Sequence, residues 1–271
     1  MAYKIMDDIE MKLRFWVLIA ALISLPCHGM DFNELKAQIQ QHNPSSSISN
    51  LSAAEDFPYF AVKNIALSSP TKGTIILIHG EGEHADWPDV IHPLRVSLPR
   101  FGWTTVSLQF PELDKSIEAN EQIQRLERYF SQLAAVIQKE QYNNLVFITR
   151  GKHAQVIANS LPTSLSNQIK AYVTISPTEN EVANQQPLSQ SLARFNAAIL
   201  DIYAQRDYPM VTQMAKLRLA NMKQHIQTLP ADTQFKYQQV VIPATDHSFS
   251  GQETTLVKRI AGWLKRSIKA R

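Results

Sequence analysis

The sequence predicts an α/β fold: a mostly parallel sheet with helices on both faces. Three observations carry the layered sheet itself. Apolar, β-rich runs alternate along the chain with amphipathic helical stretches, the pattern of a parallel sheet covered on both sides. Those runs are nearly continuous in apolar residues rather than alternating with polar ones, so both faces of each strand are expected to be buried. The 271 residues, 44% of them hydrophobic, also suit one large domain, since a single α/β domain runs to roughly 250 residues.

Residues 1–29 read as a signal peptide for secretion. Lys12 and Arg14 precede an apolar run from Phe15 to Leu25, and Cys27 and Gly29 supply the small residues of a peptidase site. Asp7, Asp8 and Glu10 stand ahead of that charged region, which makes Met11 the better start. The apolar run is too short for a bilayer span, which takes about 20 residues. The expectation is an exported protein, periplasmic or secreted, with no transmembrane segment after cleavage. Cleavage after Gly29 also removes Cys27, the one cysteine, so disulfides, thiol catalysis and cysteine–zinc sites drop out.

Residues 30–57 are expected to hold a short helix over 31–42 and then a linker, signalled by Asn43-Pro-Ser-Ser-Ser-Ile-Ser. The domain proper is placed at 58–271. Its strands are predicted at 74–78, 104–110, 145–149, 171–176, 198–203 and 235–242, with helices within 88–99, 117–140, 152–161 and 209–226. A last helix follows, because Leu256, Val257, Ile260, Ala261, Leu264 and Ile268 recur at helical spacing. Lys258, Arg259, Lys265, Arg266, Lys269 and Arg271 give it a basic face. A helix packed on the sheet, with cations near its C-terminal dipole, accounts for them; a membrane-surface helix is the other reading. The polar stretch Pro177–Gln190 falls where a cap is inserted or where an ordinary surface connection runs.

Charge and motifs exclude several classes. Lys and Arg number 27 against 24 Asp and Glu, with no zinc-finger or basic-arm pattern, so nucleic acid is not an expected partner. There is no G-x-G-x-x-G for a dinucleotide, and Arg150-Gly-Lys-His lacks the first glycine and the Ser/Thr of a phosphate-binding loop. His79, His84 and Asp86 match no standard metal spacing. No cofactor and no metal are expected. With only 8 glycines, Gly80 and Gly82 after the first predicted strand, and Gly151 in a sharp strand-to-helix passage, mark tight backbone geometry.

Taken in order, these elements resemble the α/β-hydrolase superfamily over roughly residues 58–270. Ile75-Ile-Leu-Ile-His-Gly-Glu-Gly82 is similar to the strand and His-Gly turn that supplies an oxyanion-hole amide there. Arg100-Phe-Gly-Trp-Thr-Thr-Val-Ser-Leu is similar to the next helix-to-strand step. Ala198-Ile-Leu-Asp-Ile-Tyr-Ala-Gln-Arg-Asp207 resembles the strand ending in the catalytic acid, and Ile242-Pro-Ala-Thr-Asp-His247 the loop carrying the catalytic histidine. The resemblance implies Asp207 and His247 as acid and base, with Gly80 and Gly82 in the oxyanion turn and His79 as its scaffold. Asp201, inside the strand, competes for the acid role; Asp207 is preferred because sites in open sheets lie at the strands' C-terminal ends.

The departure is at the nucleophile. Where the family carries G-x-S-x-G, this chain reads Thr149-Arg150-Gly151-Lys152-His153, with Gly151 at the serine position. A glycine has no side chain with which to attack a carbonyl. Three readings follow. In the leading one the chain is a degenerate hydrolase that binds a small-molecule ligand or a partner in the former active-site cleft. In the second, an esterase or amidase, Asp207 and His247 activate a water against backbone amides near Gly82 and Lys152. In the third, Thr149, Ser248 or Ser250 is a displaced nucleophile. Arg150, Lys152 and His153 stand at a helix start, where N–H groups and the dipole favour anions, so a carboxylate or phosphate ligand is a natural expectation. Solvated cations with no ligand are the plain alternative.

Overall fold

The computed structural model describes residues 32–50, 59–111, 118–179, 186–230, 233 and 235–268; the expected signal peptide over 1–29 lies outside them. The chain falls into two units, divided between Gln38 and Ile39. The described part of the first belongs to a helix, α1 (Phe32–His42), in which the Gln38 amide donates to Glu34 one turn earlier.

The second unit is built on one eight-stranded sheet. Its strands are β1 (Ser47–Asn50), β2 (Phe60–Asn64), β3 (Gly73–Ile78), β4 (Trp103–Leu108), β5 (Leu145–Arg150), β6 (Ile169–Ile175), β7 (Ala198–Arg206) and β8 (Tyr237–Asp246). They run in the order β1-β2-β4-β3-β5-β6-β7-β8. The β1–β2 and β2–β4 pairs are antiparallel, and every pair from β4 to β8 is parallel. The helices are α2 (Ile91–Ser97), α3 (Ala119–Lys139), α4 (His153–Ser160), α5 (Thr163–Ser166), α6 (Leu188–Ala193), α7 (Pro209–Thr228) and α8 (Glu253–Ser267).

Each central strand feeds two cores because its side chains alternate between faces. Ile76 and Ile78 of β3 join Leu126, Phe130 and Leu133 of α3, whereas Ile75 and Leu77 join Leu94 of α2 and Leu256, Ile260 and Leu264 of α8. Both sets are buried, which is why the strand reads as an unbroken apolar run. Each such side chain stabilises the fold by about 1.5–3 kcal/mol. The apolar stripe of α8 lies in the second core, and Lys258, Arg259, Lys265 and Arg266 point to solvent. Packing on the sheet, without a membrane, accounts for that helix.

Two expectations are corrected. The linker expected over 43–57 contains β1, and Asn43 and Ser46 are buried against Arg95 of α2, whose guanidinium donates to Asn43 Oδ1 (2.7 Å) and Ser46 Oγ (2.8 Å). Polar residues there form an edge strand through pairing, which composition does not announce. Strand β8 runs four residues past its expected end at 242, through Pro243. Proline is tolerated because β8 lies at the edge of the sheet. Beyond it a register shift against β7 and a positive φ of 56° at Ala244 redirect the chain toward His247.

Because β3, β5, β6, β7 and β8 are parallel, the segments that follow them emerge at one end of the sheet. The His79–Glu83 turn, Gly151, Ser176, Asp207 and His247 all lie at that end.

Candidate functional site

The floor of this end is a hydrogen-bonded turn. His79 is fully buried, donating from Nδ1 to the Gly80 carbonyl (2.8 Å) and accepting the Phe110 amide at Nε2 (3.0 Å). An acceptor Nε2 requires the neutral ring, and burial together with the neighbouring His153 lowers the His79 pKa to about 3. His79 is therefore a scaffold for the turn. His153 is 1% exposed, donates from Nδ1 to the His79 carbonyl (2.7 Å) and packs against Phe110. It faces the core, away from any ligand.

Between β5 and α4 the chain turns at Gly151 with φ +58°. That is the left-handed region, which a residue without Cβ enters freely. A Cβ built there would meet only the Gly80 Cα, at 3.7 Å, so the space beside it is open. Thr149, one of the alternative nucleophiles, is fully buried in the sheet and donates toward the Val173 carbonyl (3.4 Å).

Asp207 and His247 come together at this end of the sheet. The His247 ring donates from Nδ1 to Asp207 Oδ1 at 2.7 Å, leaving Nε2 to face away from the pair. The same oxygen accepts the Tyr208 amide (2.9 Å), and Oδ2 accepts the Ala204 amide (3.0 Å) and the Ser176 hydroxyl. Burial pushes the Asp207 carboxyl up, but the hydrogen bonds from His247, Ser176 and Ala204 outweigh it and hold it below the usual carboxylate range. Tyr208 lies against the imidazole, with ring centres 4.5 Å apart. Asp201, the rival acid, belongs to another network: Thr174, Arg218, Tyr237 and Gln239 all donate to it inside the sheet layer. Ser248 donates its hydroxyl to Asp246 (2.7 Å).

An open cleft of about 610 Å³ lies over these groups, walled by Gly82, Glu83, Trp87, Arg150, Tyr208 and His247, with Glu81, Asp89, Arg206, Asp246 and Ser248 completing it. Of the three expected anion binders only Arg150 is in its wall. Lys152 is bonded to Glu81 (3.2 Å), and His153 is in the core. Arg150 reaches the His247 carbonyl with Nη2 (3.2 Å) and stands 3.0 Å from Glu83 through Nε.

Glu83, Ser176, Trp87 and Tyr208 escaped the reading of the sequence. Glu83 accepts the Gly80 amide at 2.8 Å, so that amide is already engaged and Gly82 alone of the expected oxyanion pair lines the cleft. A carboxylate three residues beyond a glycine turn is the signal that would have found it. Ser176 follows β6 with φ +44°, and no local motif marks it. The stretch from 177 to 195 is tied down at both described ends. Glu179 binds Arg218 (2.7 Å) and the Leu188 amide (2.9 Å), and Leu188, Leu192 and Phe195 enter the first core.

A family model described as protein of unknown function (DUF3530) matches residues 30–123 and 114–266. No curated protein matches the chain in sequence. Among solved structures, the Pyrococcus furiosus esterase Pf2001 superposes with a TM-score of 0.62 at 12% identity, covering 85% of this chain and 94% of that one. Est1E from Butyrivibrio proteoclasticus gives 0.58 at 10% identity, covering 82% and 98%. The dienelactone hydrolase from Anabaena variabilis gives 0.57 at 15% identity, covering 83% and 98%. The fold is that of the α/β-hydrolases.

Proposed function

We propose that this chain, which belongs to the DUF3530 family and has the α/β-hydrolase fold, binds a small ligand in the cleft lined by His247 without covalent catalysis. The observation that carries the reading is Gly151, a residue with no side chain in the tight turn between β5 and α4. Acyl transfer by a histidine–aspartate pair needs a hydroxyl or thiol for the histidine to deprotonate. Thr149 is buried in the sheet, and the Ser248 hydroxyl is given to Asp246. An oxyanion site needs free N–H groups aimed at the developing charge, and the Gly80 amide is held by Glu83.

One observation favours a second reading, hydrolysis by an activated water: the Asp207–His247 pair is complete at 2.7 Å, with the aspartate fully hydrogen-bonded. Such a pair fixes the imidazole tautomer that leaves Nε2 basic. Export to the periplasm or beyond belongs to the same proposal, on the strength of the basic and apolar N-terminal segment. Among the described residues no helix is long and apolar enough to cross a membrane.

An aryl fluorophosphonate, which labels activated serines, separates a vacant elbow from a displaced nucleophile. Intact-mass analysis of the full chain is expected to show no adduct, and Gly151→Ser is expected to gain one. An adduct on the unmodified chain overturns the reading.

A further inference from the structure

Arg150 is 2% exposed, yet its guanidinium is incompletely matched. Nη2 donates to the His247 carbonyl, while Nε and Nη1 have no hydrogen-bond partner among the described residues. The Glu83 carboxylate stands 3.0 Å from Nε, close enough for an ion pair but out of line with the N–H. Its other oxygen accepts the Gly80 amide at 2.8 Å, so one carboxylate is shared between two donors and satisfies the guanidinium poorly. Buried donors without acceptors are costly, and a planar guanidinium is best met by a carboxylate lying in its plane. Arg150 and Glu83 both line the cleft, as do Trp87 and Tyr208.

We infer that the ligand of this cleft carries a single carboxylate, which displaces Glu83 and takes up the unmatched Nε donor of Arg150, while its apolar body lies against Trp87 and Tyr208. The inference rests on the reading of the cleft as a binding site and names the class of its ligand. A carboxylate is favoured over a phosphate because Glu81, Asp89 and Asp246 stand in the wall against one further cation, Arg206, and repel a second negative charge. Trp87 and Tyr208 add apolar ring surface to the cleft wall. Burial holds the Glu83 carboxyl above its ordinary range, so its charge is poorly accommodated where it stands and swinging out to water relieves it.

The test is isothermal titration of the full chain and of Glu83→Gln with benzoate and phenylacetate, each beside its neutral partner, benzyl alcohol and phenethyl alcohol, and with inorganic phosphate. In the unmodified chain the acids are expected to bind more tightly than the alcohols. In Glu83→Gln they should tighten by at least about tenfold, because Arg150 then has no carboxylate until the ligand supplies one, while the alcohols stay unchanged. A gain of affinity is not a product of damaged folding, so the variant remains informative even if it is less stable. Acids and alcohols binding alike, with no effect of Glu83→Gln, would overturn the carboxylate and leave the cleft reading standing. Binding of neither, by either protein, would remove both. Phosphate binding as tightly as phenylacetate would overturn the choice of a singly charged ligand.

Discussion

Gly151 carries more of the proposed function than any other residue, because it occupies a left-handed turn between β5 and α4 and has no side chain to act as a nucleophile. At φ +58° a side chain is disfavoured, and placing a non-glycine residue in the left-handed region costs about 1–2 kcal/mol. The space beside it is nevertheless open, with the Gly80 Cα at 3.7 Å as the nearest obstacle to a Cβ. Gly151→Ser is therefore expected to fold, with urea denaturation showing a loss of about 1–2 kcal/mol from backbone strain alone. A loss of more than about 4 kcal/mol would mean that the turn has been remodelled around glycine and no longer admits a nucleophile. His153 teaches the complementary lesson. A histidine after Lys152 at a helix start reads as solvent-facing, yet its ring is in the core, donating to the His79 carbonyl.

The turn ahead of strand β1 and helix α2 are joined by a polar cluster that no local motif announces. Asp86, ahead of α2, accepts from Arg95 Nε (3.1 Å), His92 Nδ1 (2.9 Å) and Asn43 Nδ2 (2.6 Å), and Arg95 is fully buried. Burial pushes the Asp86 carboxyl up, but the hydrogen bonds from His92 and Arg95 outweigh it and leave it below the usual range. A carboxylate with a depressed pKa in the folded state adds stability that is complete above its unfolded value, about 3.9, and is lost as pH falls through the lower folded value. Asp207 has the same sign. Urea midpoints are thus expected to fall as pH drops below about 4. Asp86→Ala should lose about 3–5 kcal/mol at neutral pH, because Arg95 is left buried without its partner, and should decline less steeply on acidification. An acid limb as steep as that of the unmodified protein would show that Asp86 does not titrate with folding.

Across the sheet-bearing unit, what the sequence disclosed follows from how strongly each feature is written in apolar pattern. Strands β3, β5 and β6 are buried on both faces, so Ile75–Ile78, Leu145–Ile148 and Ala171–Ile175 could be read directly. Edge strand β1 is mostly exposed and rests on its pairing with β2, which leaves no such trace. Asp207 and His247 were singled out by the resemblance of their segments to the acid and histidine segments of the α/β-hydrolases, and parallel topology gathers such strand-end residues from distant parts of the chain. Glu83 and Arg150 were not legible as a pair, since the contact between them exists only once β3 and β5 lie side by side. In the proposed function, this end of the sheet keeps a histidine–aspartate pair and a cleft but performs no turnover. Hydrolysis of short-chain aryl esters by the full chain, measured beside His247→Ala prepared identically, tests it most directly. Equal, background rates are the predicted result; turnover that disappears with His247 would contradict the claim and establish water activation by the Asp207–His247 pair.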